Sequence, residues 1–145
     1  MSSLSELSLP PPKRAAIPAR PRVLVVDDDL FLARLIVRAI EAEVEAVEAY
    51  DGLTALDLVD RERPDLILLD YHLPRLMGDE VCRRIRQRRP PPEIRIVILT
   101  GCSSEFGPEQ ARAAGADGYL LKPFSPRAVV DVVRGLAAQP AQPMR

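Results

Sequence analysis

Cysteine is scarce: Cys82 and Cys102 are the only two in 145 residues. Two thiols so placed make neither a disulfide framework nor the paired spacing of a zinc site. They are expected as reduced thiols, with Cys82 filling core inside a helical pattern. His72 is the only histidine, which argues against a metal site built from histidine side chains. Charge of one sign is also lacking. The 20 basic and 21 acidic residues leave a formal net charge of -1, so no global field favours direct contact with nucleic acid or an anionic membrane. No apolar run reaches bilayer length. The first 21 residues lack the apolar centre of a signal peptide and are Ser-rich, then Pro-rich. A soluble, cytoplasmic protein without membrane insertion is expected. No internal repeat is visible.

What is present suits a globular core, with 47% hydrophobic and 28% charged residues. Pro10, Pro11, Pro12, Pro18 and Pro21 oppose both helix and central strand. Residues 1–20 are therefore expected as a flexible, Pro-rich extension, residues 21–137 as the folded domain, and residues 138–145 as a short tail. An attached output domain is not expected.

Inside that domain, short apolar runs alternate with longer periodic stretches. The run Val23-Leu24-Val25-Val26 is continuous and mostly β-branched, as in a strand buried on both faces. Further strands are expected over 44–50, 66–69, 94–99 and 118–121. A first helix is expected over 30–42, capped by Asp29 and turning Leu32, Leu35, Ile36 and Ala39 inward. Asp51-Gly52 reads as a turn before a second helix marked by Leu53, Leu56 and Val59. The third helix is expected over 78–88 with Val81 and Ile85 inward. The fourth covers 108–114 and stops at Gly115. The fifth covers 126–136, with Pro126 suited to its first turn.

Alternating strands and helices predict an α/β domain with a parallel sheet. Right-handed crossovers put helices on both faces, and ligands bind beyond the carboxyl ends of the strands. The residues following strands one, three, four and five are Asp27-Asp28-Asp29, Asp70, Thr100 and Lys122. All are polar and all belong to one edge. Converging carboxylates repel: two unit charges about 4 Å apart cost about 4 kcal/mol at an effective dielectric near 20. The cluster must take up a proton or hold a cation. An open, oxygen-only site suits Mg²⁺. Thr100 adds a hydroxyl donor and Lys122 a mobile positive charge. These are the parts that phosphoryl transfer requires.

From residue 22 to residue 136 the chain resembles the response-regulator receiver family of two-component signalling. The resemblance rests on Val-Val-Asp27-Asp28, on Asp70-Tyr-His-Leu-Pro74-Arg-Leu-Met-Gly78, on Leu-Thr100-Gly101, and on Gly118-Tyr119-Leu-Leu-Lys122-Pro123-Phe124, in that order. It implies a flavodoxin-like, doubly wound, five-stranded parallel sheet of order 2-1-3-4-5 with five helices. It implies that Asp70 is the phosphorylated nucleophile, attacking a phosphohistidine, and that Thr100 and Lys122 assist. Asp28, Asp70 and the His72 backbone carbonyl would bind Mg²⁺, with Asp27 acting mainly through a water. Thr100 and Tyr119 would form the switch, altering the face made by the fourth helix, fifth strand and fifth helix. Partners implied are a sensor histidine kinase or histidine phosphotransfer protein and a downstream protein target, with phosphorylation-dependent homodimerisation open. The protein would be a signalling phosphoacceptor, not an enzyme acting on other substrates. The Lys122–Pro123 bond would be cis. Gly101 stands where Ala is common and Met77 where an acid is frequent. His72 and Cys102 hold positions that influence the lifetime of the phosphorylated form.

Simpler readings compete. Asp29 is best read as a helix cap only. Tyr119 could merely pack in the core. Arg83, Arg84, Arg86, Arg88 and Arg89 read as a solvated helix face rather than a nucleic-acid surface, since no aromatic interleaves them. Two other functions remain. One is a haloacid-dehalogenase-like phosphatase, suggested by the Asp27-x-Asp29 spacing but opposed by Phe31. The other is a phosphorylation-independent pseudo-receiver that binds partners with its site intact and unused.

Overall fold

Runs such as Val23–Val26 and Leu66–Leu69 have apolar side chains on both sides of an extended backbone, so their sheet must be covered on both faces. The computed structural model, which describes residues 20–101 and 106–138, shows this arrangement. The expectations for the segment before residue 20, for Cys102 and for residues 139–145 fall outside the described residues.

The order is β1 (Arg22–Val26), α1 (Leu30–Ile40), β2 (Glu45–Ala49), α2 (Gly52–Glu62), β3 (Leu66–Asp70), α3 (Gly78–Arg86), β4 (Arg95–Thr100), α4 (Pro108–Ala114), β5 (Gly118–Leu121) and α5 (Pro126–Ala138). The strands form one parallel sheet in the order β2-β1-β3-β4-β5. Alternate residues feed two cores. Leu24, Val26, Ile67, Leu69, Ile96 and Ile98 pack under α2, α3 and α4. Val23, Val25, Leu66, Leu68, Val97 and Leu99 pack under α1 and α5. Each fully buried Val, Leu or Ile stabilises the fold by about 1.5–3 kcal/mol. Lys122–Pro123 is cis, as the resemblance implied.

Asp29 caps α1, its carboxylate accepting from the Phe31 and Leu32 amides. Ser125 does the same for α5 through the Ala128 amide. Gly115, at φ 90°, ends α4 in the left-handed conformation that glycine adopts without a Cβ penalty.

Three local expectations change. The buried stripe of α1 is Ala33, Ile36 and Ile40, and Leu35 is 45% exposed. This helix is apolar on nearly every side, so packing on Val23, Val25 and α5 chooses the face. Asp51-Gly52 is not a free turn: Asp51 is the N-cap of α2 and Gly52 its first residue. The arginine run is not simply solvated. Arg86 is half-buried and donates to the carbonyls of Gly115 (2.8 Å) and Ile94 (2.8 Å) and to the Asp117 carboxylate (3.0 Å). It thereby ties α3 to the ends of α4, β4 and β5. Arg88 makes a two-bond pair with Asp60, at 2.8 and 3.0 Å. Cys82 is fully buried in the core, as expected.

Candidate functional site

The carboxyl edge of the sheet collects what the cores exclude. Among the described residues the only buried polar or charged side chains are Asp27, Asp70 and Thr100, and all three stand at strand ends on this edge. Buried carboxylates cost free energy unless partnered, so their partners define the site.

Asp27 follows β1 and is fully buried. One carboxylate oxygen accepts from the Asp29 amide at 2.9 Å and the other from Lys122 Nζ at 3.3 Å. Asp70 closes β3 and is 4% exposed. Its Oδ1 accepts from the same Lys122 Nζ at 3.1 Å. Lys122 arrives from the end of β5, where its amide donates to the Thr100 carbonyl at 2.7 Å. One ammonium thus bridges two carboxylates from different strands. Asp28 is exposed and completes the group: one oxygen from each of Asp27, Asp28 and Asp70 lies within 4.8 Å of the others.

The charges are unbalanced in the way the sequence implied. Burial, and then the charge of Asp27, push the Asp70 carboxyl up to about 6, while Lys122 opposes the rise. Burial works to lower the Lys122 ammonium, but the charges of Asp70 and Asp27 outweigh it, and the net direction is upward. Lys122 therefore stays cationic and still leaves negative charge in excess. Three convergent carboxylates, two buried and one facing solvent, fit a hard divalent cation such as Mg²⁺, which prefers oxygen ligands and keeps waters. No other group of this kind occurs among the described residues.

The remaining expected site residues lie on β4, β5 and the loop after β3. Thr100 is buried at the end of β4, beside the Asp70 strand. His72 is exposed on the loop after β3, its ring 4.8 Å from that of Tyr71 in an edge-on contact. Tyr119 lies in mid-β5, opposite Ile98, and is partly buried against the core beneath α2, α3 and α4.

Gly78 explains part of the motif after β3. A Cβ there would collide with the Asp70 carbonyl oxygen and come within 2.9 Å of the Tyr71 Cα. Only glycine lets α3 start so close to the Asp70 backbone. The edge also carries a residue missed at the sequence level. Asp51 closes the β2 connection, and its Oδ1 lies 3.5 Å from Arg75 Nε on the loop after β3. The rule that placed Asp27, Asp70, Thr100 and Lys122 reaches Asp51 as well, once applied to the second strand.

Comparison with known proteins agrees with the geometry. Residues 23–134 match the response regulator receiver domain. The chain is 40% identical over 109 residues to the alkaline phosphatase synthesis transcriptional regulatory protein PhoP of Bacillus subtilis, covering 74% of this chain and 45% of that protein. It is 40% identical over 122 residues to the transcriptional regulatory protein ResD of the same organism, covering 83% and 50%. It thus spans about half the length of these curated relatives. Among solved structures it resembles the chemotaxis response regulator CheY4 of Vibrio cholerae, with a TM-score of 0.74 and 28% identity, over 81% of this chain and 98% of that one. No helix among the described residues is long and apolar enough to cross a membrane. A shared parallel sheet, an acidic edge bridged by one lysine and a match over most of the chain lead to one assignment: this chain belongs to the response regulator receiver domain family.

Proposed function

We propose that Asp70 accepts a phosphoryl group from a phosphohistidine of a partner kinase or phosphotransfer protein, and that this chain is a switch in a two-component or phosphorelay system. Receiver domains as a family are signalling phosphoacceptors, and the family assignment supports the class. The observation that carries the residue assignment is the Lys122 ammonium, 3.1 Å from Asp70 and 3.3 Å from Asp27.

The chemistry follows from these side chains. A carboxylate oxygen of Asp70 attacks phosphorus, the N–P bond of the phosphohistidine breaks, and its electron pair returns to the imidazole. Asp28, Asp70 and the His72 carbonyl would hold Mg²⁺, with Asp27 acting mainly through a water, and the bound ion would supply positive charge against the carboxylates and phosphoryl oxygens. Lys122 exchanges an Asp70 oxygen for a phosphoryl oxygen without leaving the pocket. Thr100 turns its hydroxyl toward the phosphoryl group, and Tyr119 moves into the space released. The face of α4, β5 and α5 then changes and selects the downstream partner, including a second copy of the chain if it dimerises. Attack of water on phosphorus reverses the switch, releasing inorganic phosphate and the Asp70 carboxylate.

The phosphatase alternative needs Asp29 for chemistry, yet its Oδ1 accepts from the Phe31 and Leu32 amides at 3.0 and 3.2 Å and is used as a cap. The test is incubation with Mg²⁺ and acetyl phosphate, followed by intact mass. Wild type should gain one phosphoryl group and Asp70→Asn none. No gain in wild type would favour a phosphorylation-independent binding module. Sustained turnover of a generic phosphomonoester would favour the phosphatase.

A further inference from the structure

The loop between Asp70 and α3, residues 71–77, follows directly on Asp70 and carries the His72 carbonyl. Its first end is held by the sheet: the Tyr71 amide donates to the Leu99 carbonyl at 2.8 Å, and the Gly78 amide donates to the Tyr71 carbonyl at 2.8 Å. Its far end is held by a different element, the N-terminus of α2. The Gly52 amide donates to the Pro74 carbonyl at 3.4 Å. A Cβ at Gly52 would collide with the Leu76 carbonyl oxygen and lie 2.7 Å from the Leu76 Cβ. Arg75, at φ 71°, holds a left-handed conformation that an L side chain adopts only at a cost. Its guanidinium reaches back to the Asp51 carboxylate at 3.5 Å. Asp51 is itself fixed, with the Thr54 amide at 2.8 Å and the Thr54 hydroxyl at 2.9 Å.

We infer that Asp51 and Arg75 are positioning residues for the cation site: their ion pair tethers the loop after β3 to α2 and holds the His72 carbonyl ready for Mg²⁺. The inference rests on the reading of His72 as a Mg²⁺ ligand through its backbone. Neither side chain touches the cation or the phosphoryl group. They act by sparing the loop an ordering cost on binding, since a ligand group already in place loses less freedom than a mobile one.

Asp51→Asn separates this role from helix capping, because Asn caps as well as Asp: its amide oxygen still accepts from the Thr54 amide, the Thr54 hydroxyl turns to accept from the new Nδ2 in place of its bond to Oδ2, and the negative charge that faced Arg75 is removed. Mg²⁺ affinity by titration calorimetry on the whole chain should weaken about threefold in Asp51→Asn and in Arg75→Ala, the scale of a partly exposed ion pair. Arg75→Lys should recover most of the loss, and the double variant should be no worse than either single one. Hydrogen exchange at the amides of residues 72–77 should quicken in the same variants, with the strands unaffected. The signs discriminate. Through-space charge alone would weaken Mg²⁺ binding in Asp51→Asn but strengthen it in Arg75→Ala, whereas a tether weakens both. Opposite signs, or variants that bind Mg²⁺ as wild type does, overturn the tether alone. A wild type that takes up no Mg²⁺ overturns the cation reading of the site with it.

Discussion

Asp70→Asn should stabilise the metal-free protein at neutral pH, although it removes a residue that the site is built around. The substitution keeps shape and deletes one negative charge from a buried cluster. Burial and the neighbouring Asp27 hold the native Asp70 carboxyl at about 6, against an ordinary value of 3.8. That difference of roughly two pH units corresponds to about 3 kcal/mol against the ionised native state. Coulomb repulsion between two charges near 4 Å gives about 4 kcal/mol before Lys122 offsets it, so the scale is consistent. The sign follows from proton binding. Between about pH 4 and pH 6 the native state holds the Asp70 proton more tightly than the unfolded chain, so stability from this group falls as pH rises through that window. Urea unfolding followed by far-ultraviolet circular dichroism, in chelator, measures it. The two proteins should be similarly stable near pH 4, and Asp70→Asn should be about 2–3 kcal/mol more stable at pH 8. Added Mg²⁺ should raise wild type and close the gap. A variant less stable than wild type at pH 8, or a gap independent of pH, would refute the reasoning.

Two further expectations concern the far side of the molecule. Arg86→Ala should cost about 3 kcal/mol in the same assay, because it strips donors from two carbonyls and the Asp117 carboxylate. Arg84→Ala, which loses only an exposed pair with Glu80, should cost under about 0.5 kcal/mol, and equal losses would contradict the clamp. Burial pushes the Cys82 thiol up to about 12, so in a Cys102→Ser background it should resist alkylation at pH 8 until urea unfolds the chain. Labelling of the native protein at the rate of a free thiol would count against a sealed core.

The fold was legible because a sheet covered on both faces writes itself as continuous apolar runs. Val23–Val26 and Leu66–Leu69 admit few other readings, and the polar residue ending each run then falls on one edge. Asp27, Asp70 and Lys122 were reachable by that rule before any distance was known. Details that depend on which neighbour arrives were not legible. The apolar residues of α1 surround the helix, and only α5 and β1 decide that Leu35 faces water. Arg86 looks like its neighbours in a basic run, because its acceptors at Ile94, Gly115 and Asp117 come from later elements. The Asp51–Arg75 pair joins two loops distant in sequence, and a turn-like Asp-Gly hides the first of them.

The central claim is that one carboxylate, at the end of β3, carries the phosphoryl group. Borohydride reduces an acyl phosphate on aspartate to homoserine, which peptide sequencing by mass spectrometry can place. After treatment with Mg²⁺ and acetyl phosphate, homoserine is expected at position 70 and nowhere else, and it should vanish when Mg²⁺ is chelated. Homoserine at position 27 or 28, or phosphorylation indifferent to the cation, would contradict the account.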